Sequence, residues 1–140
     1  MKVEGAGGRD LHDVWDGDAR AYLGVVHPGF PNFFLCYGPN TNIVVNGSII
    51  YFSECEVHYA LGVIEMLLRD DLTAADCRQD VHDEYNQRID DGNLQMAWGV
   101  STVNSWYKAS SGRVAQNWPF SLLEYWQQTR SPDPADYHLS

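Results

Sequence analysis

Few side chains in this sequence have the type and spacing that chemistry requires. Glu54 and His58 stand four residues apart, and His82 follows later, so two or three ligands could meet on neighbouring helices. No HExxH or paired Cys motif accompanies them, and a polar stripe at a helix boundary explains the pair equally well. We therefore expect no metal site. Cys36, Cys55 and Cys77 are odd in number and lack a CxxC spacing, which argues against a disulfide framework. Each is read as a reduced, small core residue. No GxSxG is present, and Ser48 reads as a helix cap rather than a nucleophile. Gly5-Ala-Gly-Gly8 has the look of a phosphate loop, but no buried strand precedes it and no apolar helix follows. Catalytic residues are thus not assignable from the residues alone.

One place is more suggestive. Gly38-Pro-Asn-Thr-Asn42 follows the apolar run Phe33–Tyr37, and a long helix begins soon after, near Asn46 or Ser48. Loops at the ends of buried strands are where α/β folds hold ligands. Free N–H groups at a helix start favour partial negative charge. Local sequence leaves both a plain turn and a ligand loop open.

The elements around this loop are legible in outline. Residues 1–20 are rich in Gly and Asp and suggest a loop or strand end. Residues 21–26 read as a short strand, His27-Pro-Gly-Phe-Pro-Asn32 as a turn, and Phe33–Tyr37 as a buried strand. The helix up to Leu68 carries Ile50, Val57, Leu61, Ile64 and Leu68 on one face. Phe52, Cys55, Tyr59 and Met66 lie on the far side. A helix apolar nearly all round is a buried helix, and this chain offers few elements to surround it. A second helix is expected after a Thr73 cap, with Cys77, Val81, Tyr85 and Ile89 inward and Gly92 at its end. Residues 93–118 read as irregular. Pro119 suits the start of a short helix with Phe120, Leu123 and Trp126 on its apolar side. Ser131-Pro-Asp-Pro134 then gives way to an extended tail.

Composition narrows the function classes. Nine Lys plus Arg against nineteen Asp plus Glu give a net charge of −10, which disfavours nucleic acid and anionic membrane surfaces. Residues 21–53 contain no Asp, Glu, Lys or Arg, yet Pro28, Pro31 and Pro39 prevent a membrane-spanning helix there. A cytoplasmic location is expected, since the N-terminus has no apolar leader.

The stretch from Tyr22 to Asn42 contains Gly29-Phe-Pro-Asn32 and Gly38-Pro-Asn-Thr41. It resembles a segment of Baeyer–Villiger and related flavin-containing monooxygenases, most nearly the 4-hydroxyacetophenone monooxygenase type. Gly7-Gly8, Leu11 and Trp15 resemble the lead-in to that segment. Gly47-Ser48 and Glu54 fit the helix after it, and Asn104-Ser-Trp-Tyr107 and Asn117-Trp-Pro119 fit the region beyond. The likeness spans essentially all 140 residues.

This resemblance implies an α+β piece of a flavoprotein with two dinucleotide-binding domains. It would have short strands in its N-terminal half, one long buried helix, and a helical and irregular C-terminal half. Residues 1–70 would finish the FAD-binding domain, and 71–140 would form an extension. The implied reaction is insertion of oxygen into a ketone, using FAD and NADPH. Gly38, Pro39, Asn40, Thr41, Asn42, Asn46, Gly47 and Ser48 would border the flavin ring, and the Trp106 indole would lie in a loop covering NADP. GxGxxG fingerprints, the FxGxxxHxxxWP signature and the active-site arginine are absent. After Tyr107 the chain reads Lys108-Ala-Ser-Ser-Gly-Arg113, where relatives carry Gly-x-Asn and Gly-Lys. The expectation is a C-terminal portion that binds neither cofactor alone and needs the missing N-terminal part as partner. The alternative is a non-catalytic interaction module derived from such an enzyme.

Overall fold

A computed structural model describes residues 1–42, 47–100, 102 and 105–140. The described elements are α1 (Leu11–Trp15), α2 (Ile49–Arg69), β1 (Ala75–Cys77), α3 (Gln79–Leu94), α4 (Leu122–Gln128) and β2 (Tyr137–Leu139). The fold is α+β. Its sheet has two antiparallel strands, with Ala75 opposite Leu139 and Cys77 opposite Tyr137.

The long helix is where the sequence places it. Ser48 caps α2, its side chain accepting from the Ile50 N–H, which satisfies one of the free donors of the first turn. The other end closes when Asp71 turns left-handed (φ 54°) and the Leu72 N–H reaches back to Leu67 O at 2.9 Å. Only one face of α2 is buried, through Phe52, Cys55, Glu56, Tyr59, Val63, Met66 and Leu67. The face with Ile50, Val57, Leu61, Ile64 and Leu68 is exposed, so the expectation of a helix enclosed on all sides does not hold within this chain.

Distant segments fill the buried face. Phe52 stacks against Tyr125 with ring centroids 4.4 Å apart, and Trp118 sets its edge on both. The Tyr59 hydroxyl meets that of Tyr137 at 2.7 Å, tying α2 to β2. Burying a ring of this size is worth roughly 1.5–3 kcal/mol. Val25, Leu23 and Ile89 complete the core.

Several local expectations are corrected. Residues 21–26 form a tight reversal instead of a strand. Tyr22 and Val26 bond across it at 2.8 and 3.2 Å, with Leu23 and Gly24 left-handed at its tip. A Cβ on Gly24 would lie 2.1 Å from Thr41 Cγ2, so this glycine lets the Gly38–Asn42 turn pack close. Residues 33–37 are likewise not a buried strand. Phe33 to Leu35 are half-buried and Cys36 and Tyr37 exposed, and left-handed Asn32 and Tyr37 bracket the run. A single ladder-like bond, Leu35 N–H to Val25 O, is all it makes there. The short strands expected in the N-terminal half are thus isolated bridges.

Thr73 does not cap a helix. Its N–H and hydroxyl both reach Ser140 O, which draws residues 75–77 into β1 and delays α3 to Gln79. Helix α3 continues past Gly92 to Leu94, because the missing side chain makes room for Pro119 and Phe120. Helix α4 starts at Leu122, capped by Ser121, rather than at Pro119. It turns Tyr125 inward and leaves Leu123 exposed. The tail is extended as β2. Residues 1–20 hold the short helix α1, capped by Asp10. Cys55 and Cys77 are core residues as expected, but Cys36 is exposed. No described helix is long and apolar enough to cross a membrane.

Candidate functional site

The Gly38–Asn42 turn is welded from below. Asn40 and Thr41 are fully buried, with 1% and 0% of their surfaces exposed. The Asn40 carboxamide donates to Val114 O at 2.8 Å and Asn117 O at 3.1 Å, while its oxygen accepts from Arg113 Nη2 at 2.7 Å. Asn42 runs parallel to Asn117, and their side chains bond at 3.0 Å. Main-chain bonds Asn40 N–H to Ala115 O and Asn42 N–H to Gln116 O complete a short seam.

Three charged residues that the sequence did not single out brace this region. Arg113 is almost wholly buried and bonds Asp90 at 2.7 Å, Asp18 at 3.1 Å and Ala19 O at 3.0 Å besides Asn40. Arg20 bridges the same two aspartates. The planar guanidinium thus ties four separate stretches of chain, a task that its fork of donors suits. Glu56 is fully buried on α2, and its Oε2 accepts the Tyr37 N–H at 2.7 Å. Oε1 has no partner in hydrogen-bonding geometry, although the Gly38 amide and the Thr41 and Tyr125 hydroxyls lie around it. Burial pushes the Glu56 carboxyl up from its ordinary range, against the opposing pull of these neighbours. The Thr41 hydroxyl also donates to Gly38 O and that of Tyr125 to Leu23 O. The signal for Glu56 was present in the sequence: it shares the helical phase of Phe52, Tyr59 and Val63.

Above the seam lies a cleft of about 470 Å³. Gly38, Pro39 and Asn42 form one edge, Tyr37 and Trp15 line it, and Lys108 and Gln116 face them. Trp15 is held by its indole N–H on Arg20 O at 2.9 Å. Lys108, Ala109, Ala115 and Gln116 of the lining belong to or adjoin a small hairpin in which Lys108 and Val114 pair. Lys108 Nζ donates to Val100 O at 2.8 Å.

The expected site residues therefore separate into groups. Gly38, Pro39 and Asn42 reach the cleft, whereas Asn40 and Thr41 lie beneath it and shape it. Gly47 and Ser48 are exposed at the α2 start and are not among the cleft's lining. Trp106 is 70% exposed, stacked on Tyr107 at 4.3 Å, and its carbonyl accepts from Gln116. Asn46 and Asn104 lie outside the described residues. The metal-like trio does not assemble. His58 bonds Arg130 O, while His82 packs against His27 and bonds Asp83.

In class, the proteins this chain is homologous to are Baeyer–Villiger and other FAD-binding monooxygenases. The chain is 38% identical over 138 residues to the uncharacterized monooxygenase y4iD of Sinorhizobium fredii, covering 98% of this chain and 21% of that protein. It is 34% identical over 139 residues to a Baeyer–Villiger monooxygenase of Pseudomonas aeruginosa, covering 99% and 26%. Among solved structures it matches a Rhodococcus sp. Phi1 cyclohexanone monooxygenase mutant bound to NADP+ with a TM-score of 0.81. That match is at 20% identity and covers 100% of this chain and 26% of the other. A steroid monooxygenase bound to NADP matches with a TM-score of 0.76 at 26% identity, covering 91% and 24%. No protein-family model matches. The chain thus spans about a quarter of the length of the relatives it matches.

Proposed function

We propose that this chain works as the C-terminal portion of an FAD- and NADPH-dependent monooxygenase that inserts oxygen into a ketone. The observation that carries this reading is the Gly38–Asn42 turn, fixed from beneath by Asn40, Thr41, Arg113 and Glu56 and presented at a cleft edge. The turn lies in a chain that aligns with monooxygenases over nearly its full length. FAD, when bound, supplies oxygen activation, and NADPH supplies the reducing electrons.

The residues of this chain position and exclude. Gly38, Pro39 and Asn42 border the flavin ring. Asn40 and Thr41 hold that border in shape. Gly47 and Ser48 mark the start of α2, an end whose dipole favours negative charge. Trp106 lies on the NADP side. The N-terminal part of the enzyme supplies both nucleotide-binding modules and most of the ketone pocket.

The test is a chimera. In the Pseudomonas aeruginosa Baeyer–Villiger monooxygenase, the matched quarter is replaced by this chain. We expect a yellow protein that oxidises NADPH in the presence of a ketone. The 140-residue chain alone should take up no stoichiometric FAD. A folded but colourless chimera, or tight FAD on the isolated chain, would overturn the reading.

A further inference from the structure

The exposed side of α2 is not an ordinary surface. Ile50, Val57, Leu61, Ile64 and Leu68 are 70%, 46%, 53%, 40% and 77% exposed. Their spacings of seven, four, three and four are those of alternating a and d positions in a heptad. They form a straight apolar seam about 27 Å long at 1.5 Å per residue. A seam of this shape fits another helix laid lengthwise. Contiguous exposed apolar surface of this kind marks an interaction site.

Charge decides between partners. Glu54 occupies the one seam position that is not apolar, and Glu65 flanks the same face. A second copy laid parallel brings Glu54 against Glu54. Laid antiparallel with the apolar positions matched, it brings Glu54 close to Glu65. Either register places like charges together, in a chain already at −10. A helix with apolar knobs and a Lys or Arg opposite Glu54 has neither defect. The relatives at hand are about four times as long as the matched stretch, so such a helix has an obvious source.

We propose that the Ile50–Leu68 seam of α2 is the docking face for a cation-bearing apolar helix from the remaining portion of the monooxygenase polypeptide. This rests on the monooxygenase reading above and adds the surface and the chemistry of its partner.

The experiment mixes the 140-residue chain with the separately produced remainder of the Pseudomonas aeruginosa enzyme. Binding is followed by sedimentation and calorimetry, and flavin absorbance of the complex is recorded. A 1:1 complex is expected. The double variant Leu61→Glu, Ile64→Glu should weaken it at least tenfold, and Glu54→Lys should weaken it as well. Leu94→Glu, on exposed α3 surface, should not. Circular dichroism shows that each variant folds, because the altered side chains are solvent-facing. A flavin-bearing complex that ignores the double variant overturns the seam while leaving the monooxygenase reading intact. A complex that forms without flavin and loses affinity in the double variant supports the seam and counts against that reading. Self-association of the chain abolished by the double variant, or no association at all, overturns the proposal.

Discussion

Replacing Glu56 separates its two roles, acceptor and buried acid. Glu56→Ala removes the acceptor of the Tyr37 N–H, a loss of roughly 1–2 kcal/mol for a half-buried donor. It also deletes one buried methylene at about 0.8 kcal/mol, along with the carboxyl group itself, and leaves a void. The total is about 2–3 kcal/mol, or roughly 8 °C in Tm for a chain of this size. Glu56→Gln keeps an acceptor and supplies N–H donors toward the Thr41 and Tyr125 oxygens, so it should stay within about 1 kcal/mol of the parent. The two proteins should differ in pH dependence. The folded carboxyl titrates above its ordinary value of 4.5, so its contribution is complete below that pH. It is lost as pH rises through the folded value. The Gln variant lacks this loss, and its advantage over the parent should grow with pH above 4.5. Urea unfolding followed by tryptophan fluorescence across that range measures the difference. If Gln is as damaging as Ala, or if the two pH profiles run parallel, then burial of the Glu56 carboxyl does not set the pH dependence of this turn.

Three further outcomes follow from the same geometry. Arg113→Ala should cost roughly 2–3 kcal/mol in urea unfolding, because it strands the Asn40 oxygen and leaves Asp18 and Asp90 with Arg20 as their remaining cation; Arg113→Lys should recover little, since one ammonium cannot reach all these acceptors. A disulfide reagent should label one thiol rapidly, Cys36, and reach the others only on unfolding, with the Cys77 thiol pushed up to about 12 by burial. The His27 and His82 rings, edge to face at 5.0 Å, are both held below the ordinary 6.5, chiefly by burial, with Asp83 pulling His82 the other way. Their contribution is therefore present above that pH and lost below it, and His82→Gln should flatten the fall in urea midpoint between about pH 7 and pH 5.

Helix α2 and its Ser48 cap are legible because twenty-one residues carry one strong period and a recognised cap. Which face turns inward is not legible, since apolar residues lie on both. The choice is made by Trp118, Tyr125 and Tyr137, far away in sequence. Strand β1 is invisible for a similar reason: three residues hold no pattern, and their partner lies some sixty positions on. At the candidate site, the Gly38–Asn42 motif marks the right place. That Asn40 looks inward is decided by Arg113, Val114 and Asn117, which no local reading connects to it. The apolar run at 33–37 misleads because Leu35, Cys36 and Tyr37 line a cleft while Phe34 packs on the core, and a five-residue window cannot tell such a run from a strand.

The pairing of β2 with β1 makes the tail a strap. Ser140 O accepts from Thr73 and Ala74, and Tyr137 is anchored in the core beside Tyr59. Amide hydrogens along this strap therefore exchange only when the sheet and the core open together. Their exchange should run as a clock for whole-molecule opening rather than for local fraying, with each core-weakening substitution making it tick faster.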